Sequence, residues 1–225
     1  MCNHYANDPV ARAAIQTWRE YVGWSLNRPL PPELQTASAE IWPKGDALIV
    51  RSDEDGAFIE SMRWGIPLKM AGKREGTTVT KTITNVRNLA SPFWRGTLAK
   101  PQFRCLVPFT AFAEPKAGAG RAEYWFSLPS QPLAAFAGLW RPSPDGNVFA
   151  FLTCEPNPMV GAVHPKAMPV ILQPEEYQSW LDGVDAAQLA QAFPSQLMAM
   201  EERTPSPPSP APRETEKAAQ PNLFG

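Results

Sequence analysis

The chain has 225 residues, of which 44% are hydrophobic, enough for one globular domain with a continuous core. No apolar run approaches the ~20 residues that cross a bilayer, and residues 1–20 lack the basic start and apolar stretch of a signal peptide, so we expect a cytoplasmic protein with no membrane anchor. Three cysteines at wide spacings exclude a disulfide framework.

The net charge of −1 conceals a basic stretch in the middle of the chain. Residues 63–104 contain nine basic residues and one acidic residue, which gives a local charge of +8. Such a stretch forms either an ordinary solvated face or a surface that follows the phosphates of a nucleic acid. The rest of the chain is acidic, and both alternatives for the basic stretch stay open.

The predicted elements begin with a helix. Asp8 followed by Pro9 is an N-cap with proline at the first helical position, and apolar residues then recur at helical spacing, which predicts a helix over about 9–22. Residues 26–43 are rich in proline and predict an irregular connection. Short apolar or alternating runs then predict strands at 46–51, 57–64, 78–84, 103–108, 123–128, 134–139, 147–153 and 168–172.

Two more helical patterns begin at Pro174 and Asp185, the second extending to Phe193, and residues 195–200 predict a last strand. Residues 204–225 hold six prolines and few large apolar residues, which predicts a disordered tail after a single domain at 1–203. The strands are not separated by regular helices. The chain is therefore predicted to be α+β, with a curled, mainly antiparallel, barrel-like sheet and flanking helices.

Cys2 is the first candidate for a reactive residue. Removal of Met1 exposes an α-amine, with a pKa of ~7.7–8.0, beside a thiol with a pKa of ~8.5, so both have nucleophilic fractions at neutral pH. The two groups can react in sequence with an aldehyde: the amine forms an imine, and the sulfur then adds to the imine carbon and closes a five-membered thiazolidine. A cysteine at position 2 is also often incidental.

Four later polar residues suit proton transfer or phosphate binding. Glu114 lies among apolar and aromatic residues, where burial would raise its pKa as a proton shuttle requires. His164 precedes the predicted strand at 168–172. Asn85 and Arg87 project to one face of an extended chain and offer donors to phosphate or sugar oxygens. A surface carboxylate, a structural histidine and a polar sheet face are the ordinary alternatives.

Metal binding is the competing hypothesis for the cysteine and histidine residues. The possible ligands are Cys2, His4, Cys105, Cys154 and His164. No pair of them has the short cysteine or histidine spacing of a structural zinc site, and cysteines inside apolar strands are more simply buried small hydrophobes. We expect no metal and no other cofactor. The chain also lacks a glycine-rich phosphate loop and a G-x-S-x-G elbow.

The order of six sequence blocks is more specific than any block alone. They are Met1-Cys2, Arg63-Trp64-Gly65, Asn85-x-Arg87, Arg104-Cys105-Leu106-Val107-Pro108 leading to Glu114, Ala137-Gly138-Leu139-Trp140, and His164 before Met168-Pro169-Val170-Ile171-Leu172. This order resembles the SOS-response-associated peptidase family of abasic-site-shielding proteins over about residues 1–200.

The resemblance implies a monomer that binds single-stranded DNA and attaches covalently to the aldehyde of an abasic site. By motif position, Cys2 would be the nucleophile, and Asn85 and Glu114 would position and shuttle protons. His164 would assist sugar opening or imine chemistry. The implied DNA-binding residues are His4, Trp64, Arg87 and Lys166. The family's peptidase name implies that Cys2 removes its own leading segment, here Met1, and a lyase-type reaction at the lesion is a further expectation.

The chain departs from the family pattern at three places. The usual Met-Cys-Gly-Arg opening has Asn3 and His4 instead, which removes one phosphate-binding arginine. The histidine motif is one residue longer, with Lys166 as the nearest basic residue, and Pro115 follows Glu114 where the family has tryptophan. These changes leave the chemistry residues in place.

Three functions stay open from the sequence. The first is covalent shielding of abasic sites through Cys2. The second is a non-covalent nucleic-acid-binding module that uses only the basic stretch, with Cys2 inert. The third is a cysteine peptidase that acts on other proteins. A stable adduct with abasic DNA separates the first from the second, and cleavage of an unrelated peptide identifies the third.

Overall fold

The structure is a computed structural model that describes residues 2–25, 28–32, 36–74 and 76–204. The described strands are β1 (His4–Ala6), β2 (Glu40–Ile41), β3 (Asp46–Asp53), β4 (Gly56–Trp64), β5 (Ile66–Ala71), β6 (Thr78–Ile83), β7 (Asn85–Val86), β8 (Arg104–Phe109), β9 (Ala111–Pro115), β10 (Glu123–Ser127), β11 (Ala134–Arg141), β12 (Val148–Cys154), β13 (Met168–Pro169), β14 (Ile171–Leu172) and β15 (Ala199–Arg203).

The described helices are short. They are α1 (Pro9–Arg12), α2 (Pro92–Leu98), α3 (Pro158–Gly161), α4 (Tyr177–Leu181) and α5 (Ala186–Leu189), with 3₁₀ segments at Ala13–Glu20, Pro101–Phe103, Pro174–Glu176 and Ser195–Leu197. Asp8 caps α1 as predicted, because its side chain accepts the main-chain N–H groups of Val10 and Ala11.

Five strands close into a ring, which we call the barrel. β12 pairs with β4, β4 with β3, β3 with β8, β8 with β11, and β11 returns to β12. The β12–β4 pairing is parallel and the other four are antiparallel. Closure pairs each strand on both sides, so the ring has no free edge. The predicted α+β class with a curled, mainly antiparallel sheet is confirmed.

A second sheet packs against the barrel through aromatic side chains. Its strand order is β15-β10-β9-β1-β2. Tyr5 of β1 is wholly buried, and its ring centroid lies 5.9 Å from that of Phe136, which itself stacks on Phe109 at 3.9 Å. Aromatic pairs of this kind contribute about 0.5–1.5 kcal/mol beyond the area they bury. The N-terminal strand is therefore fixed to the centre of the core.

A two-stranded sheet of β5 and β6, which we call the ribbon, stands apart from both larger sheets. Its two strands pair antiparallel from Ile66↔Ile83 at the root to Ala71↔Thr78 at the tip. Both strands of the ribbon join the barrel at the root: β4 leads directly into β5, and β7 follows directly after β6. The ribbon thus begins and ends beside β12, with which β4 and β7 both pair.

Several predicted elements need correction. The helix expected over 9–22 is α-helical only in its first turn and continues as a 3₁₀ helix to Glu20. The connection expected to be irregular contains β2, which pairs with β1. The strand expected over 168–172 is interrupted at Val170, and the helix after Asp185 ends at Leu189 rather than Phe193. The last strand starts at Ala199, after a 3₁₀ turn.

Besides β2, six of the described strands and α-helices were not predicted from the sequence: β1, β5, β7, β9, α2 and α3. β1 and β7 have only three and two residues, too few for a periodic pattern. Four of the five residues of β9 are buried, so no alternation marks it as a strand. The tail expected at 204–225 lies outside the described residues apart from Thr204.

Candidate functional site

Cys2 lies just before β1 and is 1% exposed. Its thiol donates a hydrogen bond to the main-chain oxygen of His4, with Sγ 3.4 Å away. Burial raises the pKa of the Cys2 thiol, and the charge of the nearby Glu114 carboxylate raises it further. The thiol is therefore protonated at neutral pH, contrary to the thiolate fraction expected from the sequence. A base must remove its proton before sulfur can attack.

Asn85 ties the second sheet to the barrel at this point. It belongs to β7, which pairs with β12, and its Nδ2 atom donates to the Cys2 carbonyl oxygen at 3.1 Å and to Thr84 Oγ1 at 2.7 Å. The Asn85 Oδ1 atom is buried and has no hydrogen-bond partner among the described residues. An amide with its donors used and its acceptor open is suited to receive a proton donor from a ligand.

Glu114 is buried in β9, with 1% of its surface exposed, so the alternative of a surface carboxylate is wrong. Burial, and then the charge of Glu123, raises its pKa from the ordinary value of 4.5 to about 7. Within the described part of the chain, its Oε1 atom accepts no hydrogen bond. Both protonation states are thus populated near neutral pH, as a group that gives and takes protons requires.

His164 follows α3 and faces Glu114. Its Nδ1 atom lies 2.9 Å from the main-chain oxygen of Ala167 and 3.7 Å from Glu114 Oε1. A carbonyl only accepts, so Nδ1 carries the hydrogen in this contact and the tautomer is set. The imidazole is therefore oriented beside the carboxylate by the loop that precedes β13.

The four residues expected to do chemistry come together from four separate parts of the chain. Cys2 comes from the N-terminal segment, Asn85 from β7, Glu114 from β9 and His164 from the loop after α3. A nucleophile, an amide, a titrating carboxylate and an imidazole in one place can carry out nucleophilic attack with acid–base assistance.

Arg87 and Lys166 lie next to each other at the surface. The Arg87 guanidinium donates to the carbonyl of Cys154 at 3.3 Å, to the carbonyl of Lys166 and to the carboxylate of Glu155. The Glu155 side chain is 81% exposed, and a solvent-exposed ion pair of this kind contributes only about 0–1 kcal/mol. A phosphate can replace Glu155 at Arg87 at small cost.

Two residues expected to bind DNA are buried instead. Trp64 is 0% exposed, donates from Nε1 to the Thr84 carbonyl at 3.0 Å and stacks on Phe151. His4 is 3% exposed, and its Nδ1 donates to Glu123 at 2.9 Å. Neither ring offers a surface to a nucleotide in this structure. Their expected DNA contacts are corrected to packing roles, because the barrel core encloses Trp64 and the second sheet encloses His4.

Trp42 is a residue that the sequence analysis missed. One face of its indole stacks on His4, with ring centroids 3.6 Å apart, while 48% of the residue stays exposed. A tryptophan held on one face and open on the other offers a flat aromatic surface beside the N-terminal segment. The only signal for it in the sequence is a lone tryptophan before Pro43, within the segment assigned as irregular.

The basic stretch lies mainly on the surface. Eight of its nine basic residues are exposed: Arg63, Lys69, Lys73, Arg74, Lys81, Arg87, Arg95 and Lys100. Arg104 is the exception, since it is 4% exposed and donates to the carbonyls of Leu98, Trp180 and Val184. The ordinary solvated face and the phosphate-binding surface are both compatible with this arrangement.

The described ranges contain neither a cluster of metal ligands nor a helix that could span a membrane. No three His, Cys, Asp or Glu side chains of these residues come close enough to hold a metal ion. No helix in the described part of the chain has the length and apolar character to span a bilayer.

Comparison with known proteins gives the family and the fold. The family model for SOS response associated peptidase (SRAP) matches residues 1–204. A protein of known structure from Bacteroides thetaiotaomicron is similar at 21% identity and a TM-score of 0.67, over 88% of this chain and 90% of that one. One from Bordetella bronchiseptica has 20% identity and a TM-score of 0.63, over 90% and 99% of the two chains. A phage-related protein from the same organism has 20% identity and a TM-score of 0.59, over 90% and 94%. The search of curated proteins found no match.

Proposed function

The chain belongs to the SOS response associated peptidase (SRAP) family, which associates it with the DNA-damage response, and we propose that it links Cys2 covalently to abasic sites in single-stranded DNA. One observation carries the proposal: a buried carboxylate, Glu114, with a pKa of about 7 and an oxygen that accepts no hydrogen bond among the described residues, lies beside the Cys2 thiol. Buried polar atoms without partners cost free energy, so their presence at one place favours a ligand that pairs with them.

The proposed reaction joins an amine, a thiol and an aldehyde. Loss of Met1 turns the main-chain nitrogen of Cys2 into an α-amine, which adds to the aldehyde carbon of the ring-opened sugar. The resulting carbinolamine loses its hydroxyl as water and leaves an imine protonated at nitrogen, an iminium. Sγ then gives up its proton and adds to the iminium carbon, the electron pair of the C=N bond returns to nitrogen, and a five-membered thiazolidine closes. Cysteine and aldehyde thus give thiazolidine and one water.

Glu114 serves two of these steps. In its protonated form it gives a proton to the departing hydroxyl, and the carboxylate so formed takes the proton from Sγ as sulfur adds to the iminium carbon, which restores the protonated acid. A pKa of about 7 makes both transfers feasible at neutral pH. Because burial raises the pKa of the Cys2 thiol, the second transfer is needed for sulfur to attack.

Asn85 and His164 act around this pair. The hydrogen bond from Asn85 to the Cys2 carbonyl orients the residue whose nitrogen attacks. His164, 3.7 Å from Glu114, supports opening of the sugar ring and exchange of protons with the carboxylate. Arg87 and Lys166 bind the backbone phosphates. All of these residues come from one chain, so we propose that a monomer is sufficient, acting in the cytoplasm.

The test uses purified protein and an oligonucleotide with one abasic site. The wild-type protein forms an adduct that survives denaturing electrophoresis without added reductant, and Cys2→Ala forms none. Cys154→Ala is the matched control, because Cys154 is another buried cysteine outside the site, and it reacts as the wild type does. An oligonucleotide with an intact base or a reduced abasic site gives no adduct.

Intact-mass measurement completes the test. The reactive protein lacks Met1, and the adduct mass equals that of this protein plus the oligonucleotide minus one water. Adduct formation by Cys2→Ala at the wild-type rate, or by protein that retains Met1, overturns the thiazolidine proposal. If wild-type protein without Met1 binds the abasic oligonucleotide but forms no adduct, the function is assigned instead to a nucleic-acid-binding module.

A further inference from the structure

The ribbon is exposed on both of its faces beyond its root. Every residue of β6 from Thr78 to Thr82 is exposed, as are residues 69–71 of β5, and among the described strands neither pairs with any other. A two-stranded hairpin in water is marginally stable by itself. The ribbon contributes little to the core, so its extension away from the barrel needs another explanation.

An apolar pair lies near the tip of the ribbon. Met70 pairs directly with Val79 across the two strands, so both side chains project from the same face. They are 41% and 50% exposed, and they rank among the large apolar residues of the described chain that remain in water. Leu68 and Lys81 are the next pair toward the root on this face. The face thus combines apolar surface with a positive charge.

The charge of the ribbon favours a polyanion. Lys69, Lys73, Arg74 and Lys81 are all exposed. The sequence of residues 66–83 has one acidic residue, Glu75, and therefore a net charge of +3. An apolar surface bordered by lysines fits the faces of unpaired bases together with their phosphates, as in other single-strand-binding proteins.

The root of the ribbon lies at the candidate site. Trp64 at the end of β4 pairs with Phe149 of β12, and Asn85 at the start of β7 pairs with Phe151, two residues further along the same strand. Gly65 makes this departure from the barrel possible, because its φ is +128° and a Cβ atom there would lie 2.2 Å from Thr82 Cγ2. DNA that reaches Cys2 therefore passes the base of the ribbon.

We propose that the ribbon is a second DNA-contacting element that holds the undamaged strand on one side of the abasic nucleotide. The proposal rests on the function proposed above. Met70 and Val79 contact the faces of unpaired bases, and Lys81 on the same face and Lys73 in the connection at the tip bind phosphates. With six residues per strand the ribbon reaches about 20 Å from the barrel, enough to meet several nucleotides.

The experiment measures non-covalent binding in a Cys2→Ala background, so that no adduct forms. Two double variants are compared, Met70→Ser with Val79→Ser and Lys73→Ala with Lys81→Ala, with the exposed Arg19→Ala outside the basic stretch as the control. Each binds a trinucleotide with a central abasic site and two longer strands with the lesion at either end. All variants keep the wild-type thermal midpoint within ~2 °C, because the altered side chains are exposed.

The expected losses depend on the strand. On the longer strand whose undamaged arm lies over the ribbon, the lysine variant lowers the slope of log K against log salt by about 1.4, and the apolar variant weakens binding roughly five- to tenfold. Binding of the trinucleotide and of the oppositely oriented strand stays at the wild-type level, and Arg19→Ala changes nothing.

Wild-type binding by both double variants on both long strands overturns the proposal and leaves the ribbon to a protein partner. Equal losses on the two orientations also overturn it, because the ribbon lies on one side of Asn85. Either result leaves the Cys2 reaction intact, since that reaction is measured separately by adduct formation on the trinucleotide. A wild-type protein that forms no adduct at all contradicts the proposed function instead.

Discussion

The candidate site and the ribbon meet at residues 83–85 and are built in opposite ways. At the site, polar atoms of Asn85 and Glu114 are buried without hydrogen-bond partners among the described residues. On the ribbon, the apolar side chains of Met70 and Val79 are exposed to water. Folded proteins normally bury apolar groups and pair their buried polar groups. In the proposed function, one ligand accounts for both exceptions: a DNA strand that brings polar groups to the site and base faces to the ribbon.

The largest expected effect is on the chemistry of the site. Glu114→Gln keeps the shape of the side chain but removes the titrating proton, so cross-linking slows by ~10²–10⁴-fold. The wild-type rate of cross-linking changes as the pH passes about 7, and the rate of the variant does not. Single-turnover cross-linking across pH measures both effects. Glu202→Gln, at an exposed carboxylate of β15, is the control and keeps the wild-type profile.

The same carboxyl group also makes stability depend on pH. The folded state holds the Glu114 proton up to about pH 7, whereas an unfolded chain releases it near 4.5, so its contribution to stability falls as pH rises through this window. Denaturant unfolding at pH 5 and pH 8 should therefore show a smaller loss for Glu114→Gln than for the wild type. An equal loss in both proteins would mean that Glu114 titrates normally.

The barrel and the ribbon should differ sharply in their contribution to stability. Phe136→Ala removes a fully buried ring that packs on four other aromatic side chains, and it lowers the free energy of unfolding by about 3–5 kcal/mol. Val79→Ala on the ribbon changes it by less than ~0.5 kcal/mol. Urea unfolding of the two variants gives the comparison. A large loss for Val79→Ala would show that the ribbon is part of the core.

A substitution of His4 tests whether this residue stabilises the second sheet or binds DNA. His4→Ala leaves the Glu123 carboxylate without its donor and removes the ring that stacks on Trp42, so it costs about 1–3 kcal/mol of stability. The His4→Ala variant should keep the wild-type salt dependence of DNA binding, because the His4 ring is buried. A lower salt slope in this variant would restore His4 as a phosphate ligand.

The smallest expected effect concerns one phosphate contact. Arg87→Ala should reduce the slope of log K against log salt by about 0.7 for single-stranded DNA and weaken binding equally across sequences. Arg95→Lys preserves charge within the same basic stretch and serves as the control. Binding titrations at several salt concentrations provide the measurement, and an unchanged slope for Arg87→Ala would remove Arg87 from the DNA-binding surface.

The sequence predicted which residues meet at the candidate site better than it predicted their surroundings. Cys2, Asn85, Glu114 and His164 were selected because their order along the chain carries the family resemblance, and the structure brings them together, whereas their roles in a reaction stay predictions. The burial of His4 and Trp64 could not be predicted, because it follows from pairing between distant strands. His4, for example, is covered when β1 pairs with β9, more than one hundred residues later in the chain.

The ribbon shows a similar limit. β6 was predicted because its β-branched residues form a clear run, whereas β5 was not, since Pro67 argues against a strand that must donate hydrogen bonds on both sides. β5 tolerates proline because it is paired along only one edge. Whether a strand has one neighbour or two depends on the whole topology, and no local pattern reports it.

The burial of Cys2 also bears on how the nucleophile withstands oxidants. Peroxides attack the thiolate rather than the thiol, and exposed, low-pKa cysteines are the ones converted to sulfenic and higher acids. Cys2 is 1% exposed, and burial raises the pKa of its thiol, so its sulfur is kept in the less reactive form. If Cys2 reacts as proposed, its burial keeps the sulfur reduced under the oxidising conditions that damage DNA.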